Sequence, residues 1–116
     1  MIVIQGKNEK AMKLERFIKE ECEAHKVLIL DSVGYNNWSV SDSVEVWTTE
    51  GVSDYKGLIS EFKKNYEVVE DFDTIAFYIN ADVSVIDEFK EIDHNYAHNF
   101  IVTVQTDEDE IKLYIA

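Results

Sequence analysis

The sequence predicts an α/β fold: a three-layer αβα sandwich on a mostly parallel sheet of about five strands, with a C-terminal antiparallel β-hairpin. Three observations carry this expectation. Continuous apolar runs rich in β-branched residues recur at Ile2-Val3-Ile4, Val27-Leu28-Ile29-Leu30, Thr74 to Ile79 and Phe100 to Gln105, as strands buried on both faces require. Between the runs lie segments whose apolar residues fall three and four apart, the period of an amphipathic helix. The first strand, helix and second strand fit within roughly 30 residues, the spacing of a right-handed parallel crossover.

Taken in order, Met1 to Gln5 is a short buried strand leaving through Gly6-Lys7-Asn8 into a helix. That helix runs from Glu9 to about Glu23, with Ala11, Leu14, Phe17, Ile18 and Cys22 on one stripe and Asn8 as its expected N-cap. Cys22 continues the stripe and is therefore a core residue. Lys26 to Leu30 is the second strand, and Val33 to Asp42 lacks a sustained period and reads as the longest loop. Val44 to Thr48 alternates, as a short and partly exposed strand does. Ser53 or Asp54 is placed to cap a helix reaching about Tyr66, with Leu58, Ile59, Phe62 and Tyr66 facing inward. Thr74 to Ile79 forms the third buried strand, and Ser84 with Asp87 makes a capping-box-like start to a helix carrying Ile86, Phe89 and Ile92. Phe100 to Gln105 and Ile111 to Ile115 are the last strands, joined by Thr106-Asp107-Glu108-Asp109-Glu110, which is too short for a parallel crossover.

Residues 1–116 are expected to form a single domain. The chain carries 11 Lys+Arg against 24 Asp+Glu, a formal net charge of −13, with 46% hydrophobic residues. That composition supports a real core at this length. The charge is uneven: residues 1–30 are close to neutral at net +1, whereas residues 31–116 carry net −14. Such a field repels phosphates, so direct nucleic-acid and anionic membrane binding are disfavoured and a protein partner with a basic surface is favoured. One cysteine permits no internal disulfide, which suits a reducing compartment. The apolar runs are too short to span a bilayer, and no signal-peptide stretch opens the chain, so the expected location is cytoplasmic. A homodimer is a candidate assembly.

No catalytic constellation is legible. Four glycines and no proline, against about 8 and about 6 at average usage, leave little material for a phosphate-cradling loop. Such a loop needs closely approaching backbone amides, a lysine, and a hydroxyl for magnesium. Gly6 and Lys7 supply one glycine and one lysine, a candidate anion site, but Asn8 stands where the hydroxyl belongs. Asp31 sits at the end of the second strand, where a ribose-binding acid would lie. His94 and His98 are four apart with Asp93 or Asp87 nearby, but two histidines following a short helix read better as loop or helix-end residues than as metal ligands, and Asp107 to Glu110 lacks the length and glycine of a calcium loop, so neither metal nor cofactor is expected. Tyr35, Trp38 and Trp47 place both tryptophans in or beside the least regular segment. They are either plugs on the sheet or anchors for a partner, and they are the candidate partner-binding residues.

The order of Ile2 to Lys7 running into a helix, then Thr74 to Asp82, then Asn99 to Thr106 resembles a P-loop NTPase of the additional-strand group, a Rossmann-like or P-loop-like architecture. The resemblance implies Gly6 and Lys7 in the phosphate loop, Asp82 or Asn80 at the acidic strand end and Gln105 as the polar sensor. With the hydroxyl and the upstream glycine missing, it implies a shortened relative that has lost hydrolysis. The reading favoured by the residues is a small acidic cytosolic binding or regulatory module without catalysis, contacting a protein partner through the aromatic loop. Two alternatives stand beside it: an acidic inhibitor that mimics nucleic acid in the basic cleft of another protein, and a degenerate nucleotide-binding domain.

Overall fold

The computed structural model describes residues 1–39, 41–48 and 55–114. The elements follow the order β1 (Ile2–Gly6), α1 (Lys10–Glu21), β2 (Val27–Asp31), β3 (Val44–Thr48), α2 (Tyr55–Lys64), α3 (Tyr66–Val69), β4 (Thr74–Asp82), α4 (Ile86–Asn95), β5 (Asn99–Gln105) and β6 (Glu110–Leu113). Among the described residues, six strands form one sheet in the order β3-β2-β4-β5-β1-β6. All neighbours are parallel except β1 and β6, which are antiparallel.

The two-sided burial expected of the apolar runs is found. Every residue of β2 is buried, as are Thr74 to Ile79 of β4. On one face, Ile4, Ile29, Ala76 and Ile101 meet Ala11, Leu14, Ile18 and Cys22 of α1. On the other, Val3, Leu28, Leu30, Phe77 and Val102 meet Leu58 and Phe62 of α2, Val69 of α3 and Ile86, Phe89 and Ile92 of α4. Phe62 is the centre of this second core: its ring lies edge-on to Tyr66, Phe77, Tyr96, His98 and Phe100, with centroids 5.0–6.0 Å away. Such edge-to-face arrangements suit the ring quadrupole. The result is the three-layer sandwich that the alternation of strands and helices predicts.

Several local expectations are corrected. The N-cap of α1 is Glu9 rather than Asn8; it adopts a left-handed conformation at φ 57° and makes no side-chain capping bond. The helix expected to reach Tyr66 ends at Lys64 and resumes as the short α3 after Asn65, whose side-chain amide donates to the Glu61 carbonyl at 2.9 Å. Asparagine competes with the helical ladder in this way. Ser53 and Asp54, the expected caps of that helix, lie outside the described residues, as does Ile115. Before α4 the capping acid is Asp82 rather than Asp87: its carboxylate accepts the Ser84 amide at 2.9 Å and the Ser84 hydroxyl, and a 3₁₀ turn at Val83–Val85 leads into the helix. The last strand is antiparallel as expected, but β1 lies between β5 and β6, so β6 pairs with β1 and not with its predecessor. The connection, shortened to the four residues 106–109 because β6 begins at Glu110, spans two strand positions because β1 fills the gap, and hydrogen bonds between Tyr114 and Met1 close the pairing.

Cys22 is buried on the α1 face, as its place on the stripe requires. Burial, reinforced by the neighbouring Glu21 charge, pushes its thiol above the ordinary value. A thiol reagent in native buffer is therefore expected to modify Cys22 far more slowly than in denaturant. Cys22→Ser is expected to cost about 1 kcal/mol in urea unfolding, because a hydroxyl replaces a small apolar group. Native modification as fast as in denaturant would show the stripe to be open.

Candidate functional site

In a mostly parallel sheet covered by helices on both faces, the C-terminal strand ends are where loops are free to build a site. Here the strand ends carry two features side by side: a loop locked by a buried carboxylate, and a polar cleft.

The loop leaves β2 through Asp31, whose side chain is wholly buried. A buried carboxylate must be satisfied by donors or it is costly. Asp31 receives the amides of Val33 and Gly34 on one oxygen at 2.7 and 2.8 Å. On the other it receives the Tyr35 amide and the Trp38 indole N–H at 2.8 and 3.1 Å. These contacts fold the chain back over its own strand end. Gly34 completes the turn at φ +86°, and nothing lies within 4 Å of where its Cβ would be, so backbone conformation rather than space favours glycine here. A second acid pins the far side: Glu15 of α1 accepts the Ser39 amide at 2.7 Å and its hydroxyl at 3.3 Å. A segment with no helical or strand period is thus held by two carboxylates.

Tyr35 and Trp38 are half-buried and pack on the α1-side core. Trp38 stands edge-on to Tyr35 and to Tyr78, with centroids 4.8 and 5.2 Å away. Trp47 is also half-buried but belongs to the other face, where it packs against the core beneath α2 and α4. The structure therefore brings Tyr35 and Trp38 together and places Trp47 around the β3 edge from them. Tyr78 is the residue that sequence reasoning missed. It lay within an apolar run and carried no separate signal. Burial raises its phenol above the ordinary value, with the Asp31 charge and then Tyr35 adding to the rise.

The cleft lies where β1, β4 and β5 end, an opening of about 530 Å³ bordered by Lys7, Asn80, Asp82, Gln105 and Asp107. Gly6 is buried and is not among the residues that border the cleft. A Cβ on Gly6 would lie 2.7 Å from Lys13 Nζ and 3.1 Å from Asp109 Oδ1, so the Lys13–Asp109 ion pair fills the space over the glycine. Only three residues separate β1 from α1. Hydrogen bonding to Ser84 lowers the Asp82 carboxyl below its ordinary value.

The two histidines are apart in role. His94 lies in the last turn of α4, whereas His98 follows the helix and sets Nε2 2.8 Å from the Val69 carbonyl. Among the described residues no group of three or more His, Cys, Asp or Glu is arranged to hold a metal ion. Among the same residues, no helix is long and apolar enough to cross a membrane. No family model and no curated protein matches the chain.

Two outcomes are expected. Asp31→Ala leaves four donors without their acceptor and is expected to cost about 3–5 kcal/mol of stability in urea unfolding, with a red shift of native tryptophan emission. A loss below about 1 kcal/mol would mean that water replaces the carboxylate freely. The second outcome concerns Tyr78, whose neutral form is the one the fold favours. The unfolded chain ionises its phenols first, near about pH 10, so this contribution to stability is present below that pH and is lost as pH rises toward the higher folded value. The alkaline fall in stability is expected to be shallower in Tyr78→Phe than in the parent. Identical slopes would deny the effect.

Proposed function

We propose that the protein is a non-catalytic binding module that contacts a protein partner through the loop after β2 and the adjoining β3 edge. The observation that carries this reading is the anchoring of the loop by Asp31, which presents a rigid surface from an irregular segment. A loop fixed beforehand loses less entropy on binding, which is how scaffolded loops gain affinity. Tyr35 and Trp38 flank that surface on one face of the sheet and Trp47 on the other. The net charge of −13 favours a partner with a basic surface. A cytoplasmic location fits the single reduced cysteine of this reading. Mimicry of nucleic acid remains the special case in which the basic partner is itself a nucleic-acid-binding protein.

One observation favours a second reading, a nucleotide-binding domain that has lost hydrolysis. The strand order β4-β5-β1 gathers Lys7, Asn80, Asp82 and Gln105 around one cleft, as the resemblance to P-loop NTPases implies. Against tight binding stand the short turn after β1, the filled space over Gly6 and the carboxylates of Asp82 and Asp107 on the cleft wall.

The two readings separate in one pair of experiments. A photocrosslinking residue at Asn36, exposed on the loop, is expected to capture a discrete basic protein, whereas the same residue at Ser60 on α2 captures none. Asp31→Asn, which loosens the loop, is expected to abolish the capture. Calorimetry with ATP and GTP, with and without magnesium, is expected to show no micromolar affinity. Equal capture from Asn36 and Ser60 would reject the loop as the contact surface. Micromolar nucleotide affinity lost in Lys7→Ala would establish the second reading.

A further inference from the structure

The sheet has two edges, and they differ in kind. At the β3 end the apolar side chains Val44, Val46 and Trp47 are half-buried against the two cores, whereas β6 at the other end carries two large apolar side chains in water: Ile111 is 51% exposed and Leu113 65%. Both project to the α1 side of the sheet, since they stand opposite Ile4 and Ile2 of β1. Glu110 and Lys112 project to the opposite side, with their charged ends 3.4 Å apart.

The hydrogen-bond parity of this edge follows from its inner side. Tyr114 donates its amide to the Met1 carbonyl at 2.8 Å and accepts the Met1 ammonium at 3.1 Å. Bonded and non-bonded pairs alternate along an antiparallel ladder. Lys112 and Glu110 therefore also turn their backbone groups toward β1, and Ile111 and Leu113 turn theirs to the open side. An edge of this kind is a template for another strand unless it is blocked.

We propose that the occupant is a second copy of this chain, with the two β6 strands pairing antiparallel about a two-fold axis at Ile111 to form a continuous twelve-stranded sheet, twice the six of one chain. Closed two-fold pairing demands that an edge complement its own reverse, and this one does. With Ile111 opposite Ile111, the two outward-turned backbones exchange their bonds, and the isoleucine side chains meet on the α1 side. Glu110 of each copy then lies opposite Lys112 of the other, giving two cross-strand pairs of opposite charge. A register centred on Lys112 instead sets two ammonium groups opposite one another, which selects against it. The acidic turns, Asp107 to Asp109, fall at opposite ends of the seam and do not face each other, so the like charges of the two turns are kept apart. The loops after β2 sit at the far ends of the joined sheet, so the dimer leaves both free; the inference does not depend on their function.

The test is sedimentation equilibrium of the full chain from about 1 μM to about 1 mM, where association governed by mass action must be visible. The expected result is a reversible dimer of twice the 13.5 kDa chain mass. Lys112→Glu alone and Glu110→Lys alone are each expected to weaken it roughly tenfold or more, because both symmetry-related pairs turn repulsive. The double exchange E110K/K112E is expected to restore it. Ile111→Pro removes an outward amide that the chain's own fold does not use, as edge positions tolerate; it is expected to give a folded monomer, with the far-UV dichroism of the parent at low concentration. A monomer throughout the range would overturn the proposal, as would a dimer indifferent to all of these changes.

Discussion

The carboxylate of Asp31 is the constraint on which the upper edge of the molecule depends. It sits at the end of a strand with every residue buried, where an unsatisfied charge would be intolerable. Three consecutive amides and an indole N–H satisfy it, all from the seven residues that follow. The chain can provide them only by folding back on itself, and Gly34 provides the left-handed turn. Desolvation of one side chain thus dictates the shape of a segment with no regular hydrogen-bond ladder. It also explains why Trp38 packs on the sheet: the indole that bonds Asp31 must lie against Tyr78 and Tyr35.

The same end of the sheet shows how acidity is partitioned. Asp31 and Glu15 spend their oxygens on the loop, Asp82 caps the turn into α4, and Asp109 lies with Lys13 over Gly6. These four acids are structural in position although they lie near the surface proposed for binding. What remains for the proposed partner is an anchored aromatic loop and an acidic field, and the proposed recognition by shape and charge rests on these two features. The cleft beside the loop follows from strand order, because β5 between β4 and β1 sets their three ends around one opening.

Much of the fold was legible because two-sided burial leaves a signature that composition alone cannot imitate. Runs such as Val27 to Leu30 and Thr74 to Ile79 are apolar at successive positions, and a strand exposed on one face would alternate instead. The stripe ending at Cys22 was legible for the same reason. The neighbour of β6 was not, since a short turn allows either an adjacent strand or one beyond an inserted strand, and the insertion comes from the other end of the chain. Caps were misread where local chemistry was ambiguous: Glu9 takes the left-handed position that Asn8 suits better, and Asp82 lies two residues before Ser84, where a strand end conceals it. Asp31 was marked by its position, but its role was hidden. Nothing in Asp-Ser-Val-Gly-Tyr says that the acid turns inward to its own loop rather than outward to a ligand. The separation of Trp38 and Trp47 onto opposite faces was likewise beyond sequence, because it depends on the parity of β3 against β2.

Amide hydrogen exchange resolved by residue tests the central claim most directly, because Val33, Gly34 and Tyr35 lie in a loop without regular secondary structure. If Asp31 holds them, their amides exchange orders of magnitude more slowly than those of the exposed Asn36 and Asn37, and lose that protection together in Asp31→Asn. Exchange of the three amides at the unprotected rate in the parent protein would contradict the account.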